Sequence, residues 1–212
     1  IIKLSQSIRS CISVTRHAGA YIRPFIFAAA ETTGAYSCGE FTFAVIAMPH
    51  EIHRGKTMKL QLEFNDKRTY PGGTGNVKAC GNYGAGLRAD KKALKDGKVV
   101  LWTDPSNTII QELTTANVMF VLKNGTMVMP EVTDCILDGI TQRTIFENAQ
   151  LFNLRAKKET ITVTMLREWL SSGDLMEAYA VGTAITATRV THIKIDDTEY
   201  PIGDGIVSNF YT

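Results

Sequence analysis

Pro71-Gly72-Gly73-Thr74-Gly75-Asn76-Val77-Lys78-Ala79-Cys80-Gly81-Asn82-Tyr83 is the stretch on which the fold turns. Its first half holds three glycines in five residues, a density that marks a loop rather than a helix or strand. A lysine follows, and from Asn82 to Lys95 the residues Tyr83, Leu87 and Leu94 recur among Lys and Arg. That segment predicts a helix, with Gly97 as its stop. Before the loop, Met58 to Phe64 sets Met, Leu, Leu and Phe against Lys, Gln and Glu at period two, the mark of a half-buried strand. After the helix, Val99 to Thr103 predicts a second strand.

The rest of the chain alternates the same two textures. Ile1, Leu4, Ile8, Cys11 and Ile12 are spaced for a short amphipathic helix. Tyr21 to Ala30 and Phe41 to Met48 are aromatic and β-branched runs bounded by Gly and Pro, and predict strands. Pro49 to Thr57 is a polar connector. Thr108 to Glu112 predicts a strand. Asn117 to Leu122 and Thr126 to Met129 flank Asn124-Gly125, which predicts a hairpin whose two central residues both take positive φ. Thr141 to Phe152 and Thr164 to Leu170 predict helices, the latter capped by Thr164. Glu177 to Val190 is β-rich, and Asp196-Asp197 predicts a turn. The expected class is α+β, mixed α and β with hairpins in place of strict βαβ alternation.

Composition narrows the function classes. The chain has 212 residues, with 23 Lys plus Arg against 21 Asp plus Glu, so the formal charge is 23 − 21 = +2. A polyanion binder held by bulk charge is not expected, and nucleic acid is not an expected partner. Apolar residues make up 44% and charged residues 21%, values of a packed globular chain and not of a disordered one. No apolar run approaches the ~18 residues a membrane span requires, so no membrane association is expected. Cys11, Cys38, Cys80 and Cys135 show no CxxC spacing, which argues against a structural zinc site and a disulfide scaffold. His50 and His53 stand three apart with no third ligand in pattern, so no metal is expected. A reducing compartment follows from the cysteines, and the cytoplasm is the expected location, with an organelle left open.

Four segments in this order carry a resemblance: Ala20-Tyr21-Ile22-Arg23-Pro24; Gly75-Asn76-Val77-Lys78-Ala79-Cys80-Gly81-Asn82-Tyr83; Gln111-Glu112-Leu113-Thr114-Thr115-Ala116-Asn117-Val118-Met119-Phe120; and Ile136-Leu137-Asp138-Gly139-Ile140-Thr141 with the later Gly182-Thr183-Ala184. Together the pattern resembles the branched-chain aminotransferases, fold-type IV enzymes that use pyridoxal 5′-phosphate. Such chemistry needs a lysine to carry the cofactor and an anion facing the ring nitrogen to keep it protonated.

The resemblance implies a role for each position. Lys78 carries the cofactor and moves the Cα proton. Glu112 faces the pyridine nitrogen, and the Tyr83 hydroxyl meets the cofactor's O3′. Ile140 and Thr141, opening a helix after Gly139, hold the phosphate, with Thr183 as a second phosphate ligand. Thr183 and Ala184 resemble the site for the substrate carboxylate. Tyr21 and Arg23 share a strand face and line the substrate pocket, the arginine meeting the distal carboxylate of glutamate.

The implied domains are 1–48, the end of a small N-terminal domain most of which is absent; 49–56, a connector; and 57–212, the large cofactor-binding domain. The arginine that reaches the phosphate from the small domain has no counterpart here, so a further N-terminal domain is expected in the native protein. The family usually has Pro where Asp138 stands, and an aromatic, Gly-rich connector where Pro49-His50-Glu51-Ile52-His53-Arg54 stands. The implied activity moves an amino group between an apolar, branched-chain-like L-amino acid and 2-oxoglutarate, in a homodimer. Two alternatives stay open: a D-amino-acid or (R)-amine aminotransferase or aminodeoxychorismate lyase of the same fold, against which Tyr21-Ile22-Arg23 argues, and a non-catalytic truncated relative acting as a structural partner.

Overall fold

The structure, a computed structural model, describes residues 6, 18–31, 34, 37–51, 56–203 and 208. Apart from Gln6, which is helical, the helix expected over Ile1–Ile12 lies outside the described residues, as do residues 52–55 of the connector. The chain divides into two compact units, Ile1–Arg54 and Gly55–Thr212.

The first unit is a two-stranded antiparallel hairpin of β1 (Ala18–Ala28) and β2 (Phe41–Glu51). Both predicted strands are present, and β2 runs past Met48 through Pro49 to Glu51, paired with Ala18 to Ala20. A two-stranded sheet has no interior of its own. Ile22, Phe25, Ile26, Phe27, Phe41 and Phe43 are accordingly exposed, with Phe25 and Phe27 stacked at 5.9 Å between ring centres.

The second unit is a mixed sheet of nine strands with helices on its faces. It begins with β3 (Thr57–Glu63), α1 (Cys80–Lys95) and β4 (Lys98–Thr103), where β3 and β4 are parallel neighbours. This is one βαβ crossover, and the glycine loop lies in it between β3 and α1. Then come β5 (Ile110–Leu113), β6 (Asn117–Leu122), β7 (Thr126–Pro130), α2 (Ile140–Glu147), a 3-10 turn over Ala149–Phe152, β8 (Arg155–Glu159), α3 (Val163–Ser172), β9 (Leu175–Gly182), β10 (Thr186–Ile195) and β11 (Thr198–Pro201). The strand order is β5-β4-β3-β10-β9-β6-β7-β8, with β11 added on β10.

The central strands read as continuous apolar runs because both of their faces are covered. Along β6, Val118 and Phe120 enter one core while Met119 and Val121 enter the other; along β9, Ala178 and Ala180 match the first pair and Tyr179 and Val181 the second. Leu166 of α3 closes the first core, and Ile145 of α2 with Ala149 closes the second. Full burial of a side chain such as Phe120 or Leu166 contributes roughly 1.5–3 kcal/mol.

Helix α1 is covered differently from its sequence pattern. Leu87 and Leu94 are exposed, and the buried stripe is Asn82, Gly86, Ala89 and Ala93. These small side chains let the helix lie close on Val100 and Trp102 of β4. A Cβ on Gly86 would stand 3.3 Å from Trp102, Thr114 and Asp90 atoms, closer than ordinary packing allows. The helix ends as expected, with Gly97 at φ +66 and Lys92 and Lys95 in the last turn, where cations suit the helix dipole.

Three local predictions are corrected. In the β6–β7 hairpin only Gly125 takes positive φ (77°), and the Gly125 amide donates to the Leu122 carbonyl at 2.9 Å. The loop is therefore three residues long, a turn closed by a left-handed glycine, and not a two-residue turn. The cap of α3 is Thr162, whose hydroxyl accepts from the Met165 amide at 3.0 Å; Thr164 lies inside the helix. The helix expected over Thr141–Phe152 stops at Glu147, and the chain tightens into the 3-10 turn.

Candidate functional site

The glycine loop is fixed by two contacts that the sequence pattern alone does not reveal. Asn82, buried at the start of α1, donates from Nδ2 to the carbonyls of Thr74 and Val77, each at 2.8 Å, and accepts the Thr74 hydroxyl at 2.8 Å. These bonds hold the turn that ends in Lys78. On the other side the loop is stitched to residues 134–135: Gly72 N–H donates to Asp134 Oδ2 at 2.5 Å and Asn76 N–H to the Asp134 carbonyl at 2.9 Å. A Cβ on Gly75 would fall 2.6 Å from Cys135 Cα and 2.7 Å from the Asp134 carbonyl, so only glycine fits there.

Glu112 is the electrostatic centre. It lies on β5 and is 3% exposed. Its Oε1 is ion-paired with Arg68 Nη1 at 2.9 Å and accepts from the Leu137 amide at 3.1 Å, and its Oε2 accepts from Asn117 Nδ2 at 2.8 Å. A carboxylate offers about four acceptor directions. Among the described residues, one direction on Oε2 is left. Burial pushes the Glu112 carboxyl up to about 7, against the opposing pull of Arg68, of the Leu137 amide and of Lys78. The last of these places the Lys78 ammonium within electrostatic reach of the carboxylate.

The same network reaches the next two elements. Asn117 Nδ2 also donates to the Leu137 carbonyl at 2.8 Å. A Cβ on Gly139 would stand 2.1 Å from Asn117 Oδ1, so Asn117 occupies the space that glycine leaves. Gly139 is the N-cap residue of α2, and no side chain caps that helix. The N–H groups of Ile140, Thr141 and Gln142 at its first turn thus have no capping acceptor. Ile140 is exposed and Thr141 half-buried. Asp138 is ion-paired with Arg143, which neutralises the carboxylate that stands in place of the usual proline.

Thr183 and Ala184 are exposed in the turn that joins β9 to β10. Register places this turn at the same end of the sheet: Asn117 pairs with Val181, and Gly182 lies against Ala116 and the Thr115 carbonyl. The turn closes on Thr186, a β-branched residue at φ 55°. That conformation is costly for threonine.

Tyr83 is half-buried in the first turn of α1, one residue after the Asn82 clamp. Lys78, Tyr83, Glu112, Ile140, Thr141, Thr183 and Ala184 all belong to the Gly55–Thr212 unit, on β5, the first turns of α1 and α2, and the loops beside them. Tyr21 and Arg23 belong to the other unit. They share a face of β1, with the Arg23 guanidinium 5.3 Å from the Tyr21 ring centre. The sequence gives no role to Arg68 or to Asn117, and marks Gly139 only as the residue before the phosphate-binding turn. Arg68 sits in the polar run Asn65-Asp66-Lys67-Arg68, which looks like solvated loop; its 8% exposure is what separates it.

The sequence matches the Amino-transferase class IV family over residues 3–193. It is 30% identical over 195 residues to the branched-chain-amino-acid transaminase 1 of Bacillus subtilis (strain 168), covering 89% of this chain and 54% of that protein. It is 33% identical over 195 residues to the mitochondrial branched-chain-amino-acid aminotransferase 1 of Arabidopsis thaliana, covering 89% of this chain and 49% of the relative. The chain thus spans about half the length of these curated relatives. Its fold is shared with the crystal structure of a Brucella abortus aminotransferase bound to the co-factor PLP, at a TM-score of 0.78 and 20% identity over 97% of this chain and 69% of that one. It is shared too with the branched-chain aminotransferase of Thermoproteus uzoniensis with norvaline, at a TM-score of 0.73 and 23% identity over 88% of this chain and 60% of that one. With the family matched along nearly its whole length and its α+β fold held in common with solved members, the chain belongs to the class IV aminotransferases.

Proposed function

We propose that the chain carries the catalytic lysine and the cofactor-binding loops of an aminotransferase that uses pyridoxal 5′-phosphate and moves an amino group between an apolar, branched-chain-like L-amino acid and 2-oxoglutarate. The observation that carries this reading is the buried Glu112, ion-paired with Arg68 and held by two hydrogen-bond donors, with an acceptor direction left on Oε2 and Lys78 in electrostatic reach. A buried carboxylate is costly unless paired, and a pyridinium N–H is the partner that the remaining direction suits. The uncapped N-terminus of α2 likewise suits a phosphate, since its free N–H groups and the helix dipole favour an anion. The residues present therefore fit the group.

Pyridoxal phosphate, when bound, supplies an electron sink for the negative charge that develops at the substrate's Cα. Around it the chain's own groups divide the work. Lys78 Nζ would hold the cofactor covalently, and its free amine would take the proton from the substrate's Cα. Glu112 keeps a positive charge at the ring nitrogen. The first-turn amides of α2 at Ile140 and Thr141, with Thr183, bind phosphate. The Tyr83 hydroxyl donates to the ring oxygen. The Thr183-Ala184 turn receives the α-carboxylate, and Tyr21 and Arg23 select the side chain and the distal carboxylate. The proposed assignment of residues 1–48 to a small domain and 57–212 to a large one, a homodimer, and a cytoplasmic location belong to the same reading. Among the described residues no helix is long and apolar enough to cross a membrane.

The test is direct. Incubation with pyridoxal phosphate followed by borohydride should leave a pyridoxyl group on Lys78, mapped by peptide mass, and Lys78→Ala should remove both the adduct and amino transfer from leucine to 2-oxoglutarate. An adduct on a different lysine, or transfer surviving in Lys78→Ala, would refute the assignment.

A further inference from the structure

We propose that Arg68 is the positioning residue of the Glu112 carboxylate: its guanidinium takes Oε1, so that Oε2 alone is offered to the cofactor's ring nitrogen, and it fastens that carboxylate to the two loops beside it. This rests on the pyridoxal-phosphate reading above and deepens it.

The geometry is specific. Arg68 is 8% exposed; its Nη1 is ion-paired with Glu112 Oε1 at 2.9 Å and donates to the Cys135 carbonyl at 2.9 Å, while Nη2 donates to the Gly75 carbonyl at 3.3 Å. One planar group thus ties β5 to the glycine loop that leads to Lys78 and to the loop that leads to α2. Lysine has no such fork: its ammonium is a single point of charge, and it cannot hold three acceptors in this plane. The charged groups that bear on Glu112 are Arg68 and Lys78; its remaining contacts, Asn117 Nδ2 and the Leu137 amide, are neutral donors. Loss of Arg68 would leave a buried carboxylate with two neutral donors, which favours the protonated acid, and would cut its tie to the glycine loop and to Cys135.

The test compares the full chain with Arg68→Gln, Arg68→Lys, Glu112→Gln and the Arg68→Gln/Glu112→Gln double variant. Uptake of pyridoxal phosphate by the unaltered chain is measured first; failure there overturns the parent reading, and this role with it, before any variant is compared. The second readout is the Glu112 carboxyl titration by ¹³C NMR of glutamate-labelled protein, identified by its loss in Glu112→Gln. Arg68→Gln should move it up by at least about one pH unit, whereas Arg68→Lys should move it by less than half of that. The third readout is the single-turnover rate of Cα proton removal, which Arg68→Gln should slow on the order of 10²-fold. Arg68→Lys should recover part of that loss. The double variant should be no more than about twofold slower than Glu112→Gln, because the two residues act as one unit. If Arg68→Gln does not fold, Arg68→Lys carries the rate test, with about a tenfold loss expected. An unmoved Glu112 titration, a rate loss that multiplies fully in the double variant, an unchanged rate in Arg68→Lys, or a loss confined to cofactor affinity would each overturn the proposal.

Discussion

At the scale of single residues, the site depends on how Glu112 is held. Its identity was legible from Gln111-Glu112 and the apolar strand after it; its environment was not, because Arg68 comes from a loop distant in sequence and Asn117, five residues on, reaches back from the next strand. The environment has a consequence that can be measured. In the cofactor-free protein the folded carboxyl titrates at about 7, against a usual value of 4.5. Between those values the folded state holds more proton than the unfolded state. Stability from this group is then fully present below about pH 4.5 and is lost as pH rises through 7. The size is on the order of 3 kcal/mol as an upper bound, from about 1.4 kcal/mol per pH unit. Denaturant titrations from pH 4.5 to 8 should show this fall in the parent chain and a flatter line in Glu112→Gln. Gly139 gives a second prediction at this scale. Gly139→Ala places a Cβ 2.1 Å from Asn117 Oδ1, so Asn117 must move and Glu112 loses a donor. Cofactor affinity should fall at least about tenfold, equivalent to about 1.4 kcal/mol, read by fluorescence titration. An unchanged affinity would show that the Asn117 link is dispensable.

At the scale of elements, the strands and helices were largely legible in the sequence, and the misreadings have physical causes. Apolar runs mark β6 and β9 clearly because both faces of each strand are buried. Helix α1 was found from its length and its glycine stop, yet its buried face was hidden, since Gly86, Ala89 and Ala93 leave no apolar signal while the exposed Leu87 and Leu94 do. Hairpin turn type and cap position depend on one dihedral or one hydroxyl, and neighbouring candidates such as Thr162 and Thr164 look alike in sequence. The structure separates that pair. Thr162→Ala should lower stability by about 1 kcal/mol, whereas Thr164→Ala, at an exposed helical position where Ala is the better helix former, should leave it unchanged or raise it by a few tenths, since only the first loses a cap bond to Met165. Both variants should bind cofactor as the parent does, because α3 contributes no site residue. Thermal melts of the two variants check the order. Equal losses would mean that the cap bond carries no net stability.

At the scale of the whole molecule, the division of labour follows the division of the chain. Every residue assigned to cofactor binding, from Arg68 and Lys78 to Thr183, lies in the Gly55–Thr212 unit, which holds the nine-stranded sheet and the hydrophobic clusters on its faces. The residues assigned to substrate selection through the side chain, Tyr21 and Arg23, lie in the Ile1–Arg54 unit. Cofactor binding should therefore survive loss of Arg23 while substrate choice does not. Arg23→Ala removes a guanidinium suited to a distal carboxylate, and charge-assisted hydrogen bonds of this kind are worth roughly 1.5–3 kcal/mol. The KM for 2-oxoglutarate should rise by on the order of 10- to 100-fold, while the KM for leucine changes by no more than about twofold. The pyridoxyl adduct on Lys78 should form to the same extent as in the parent chain. This split discriminates between the proposed substrate pair and its alternatives. Tyr21-Ile22-Arg23 is the feature on which the preference over a D-amino-acid or amine transaminase of the same fold rests. An Arg23→Ala chain whose KM values all move together, or whose cofactor is lost, would place Arg23 in the framework of the protein and remove the reason for preferring 2-oxoglutarate as the acceptor.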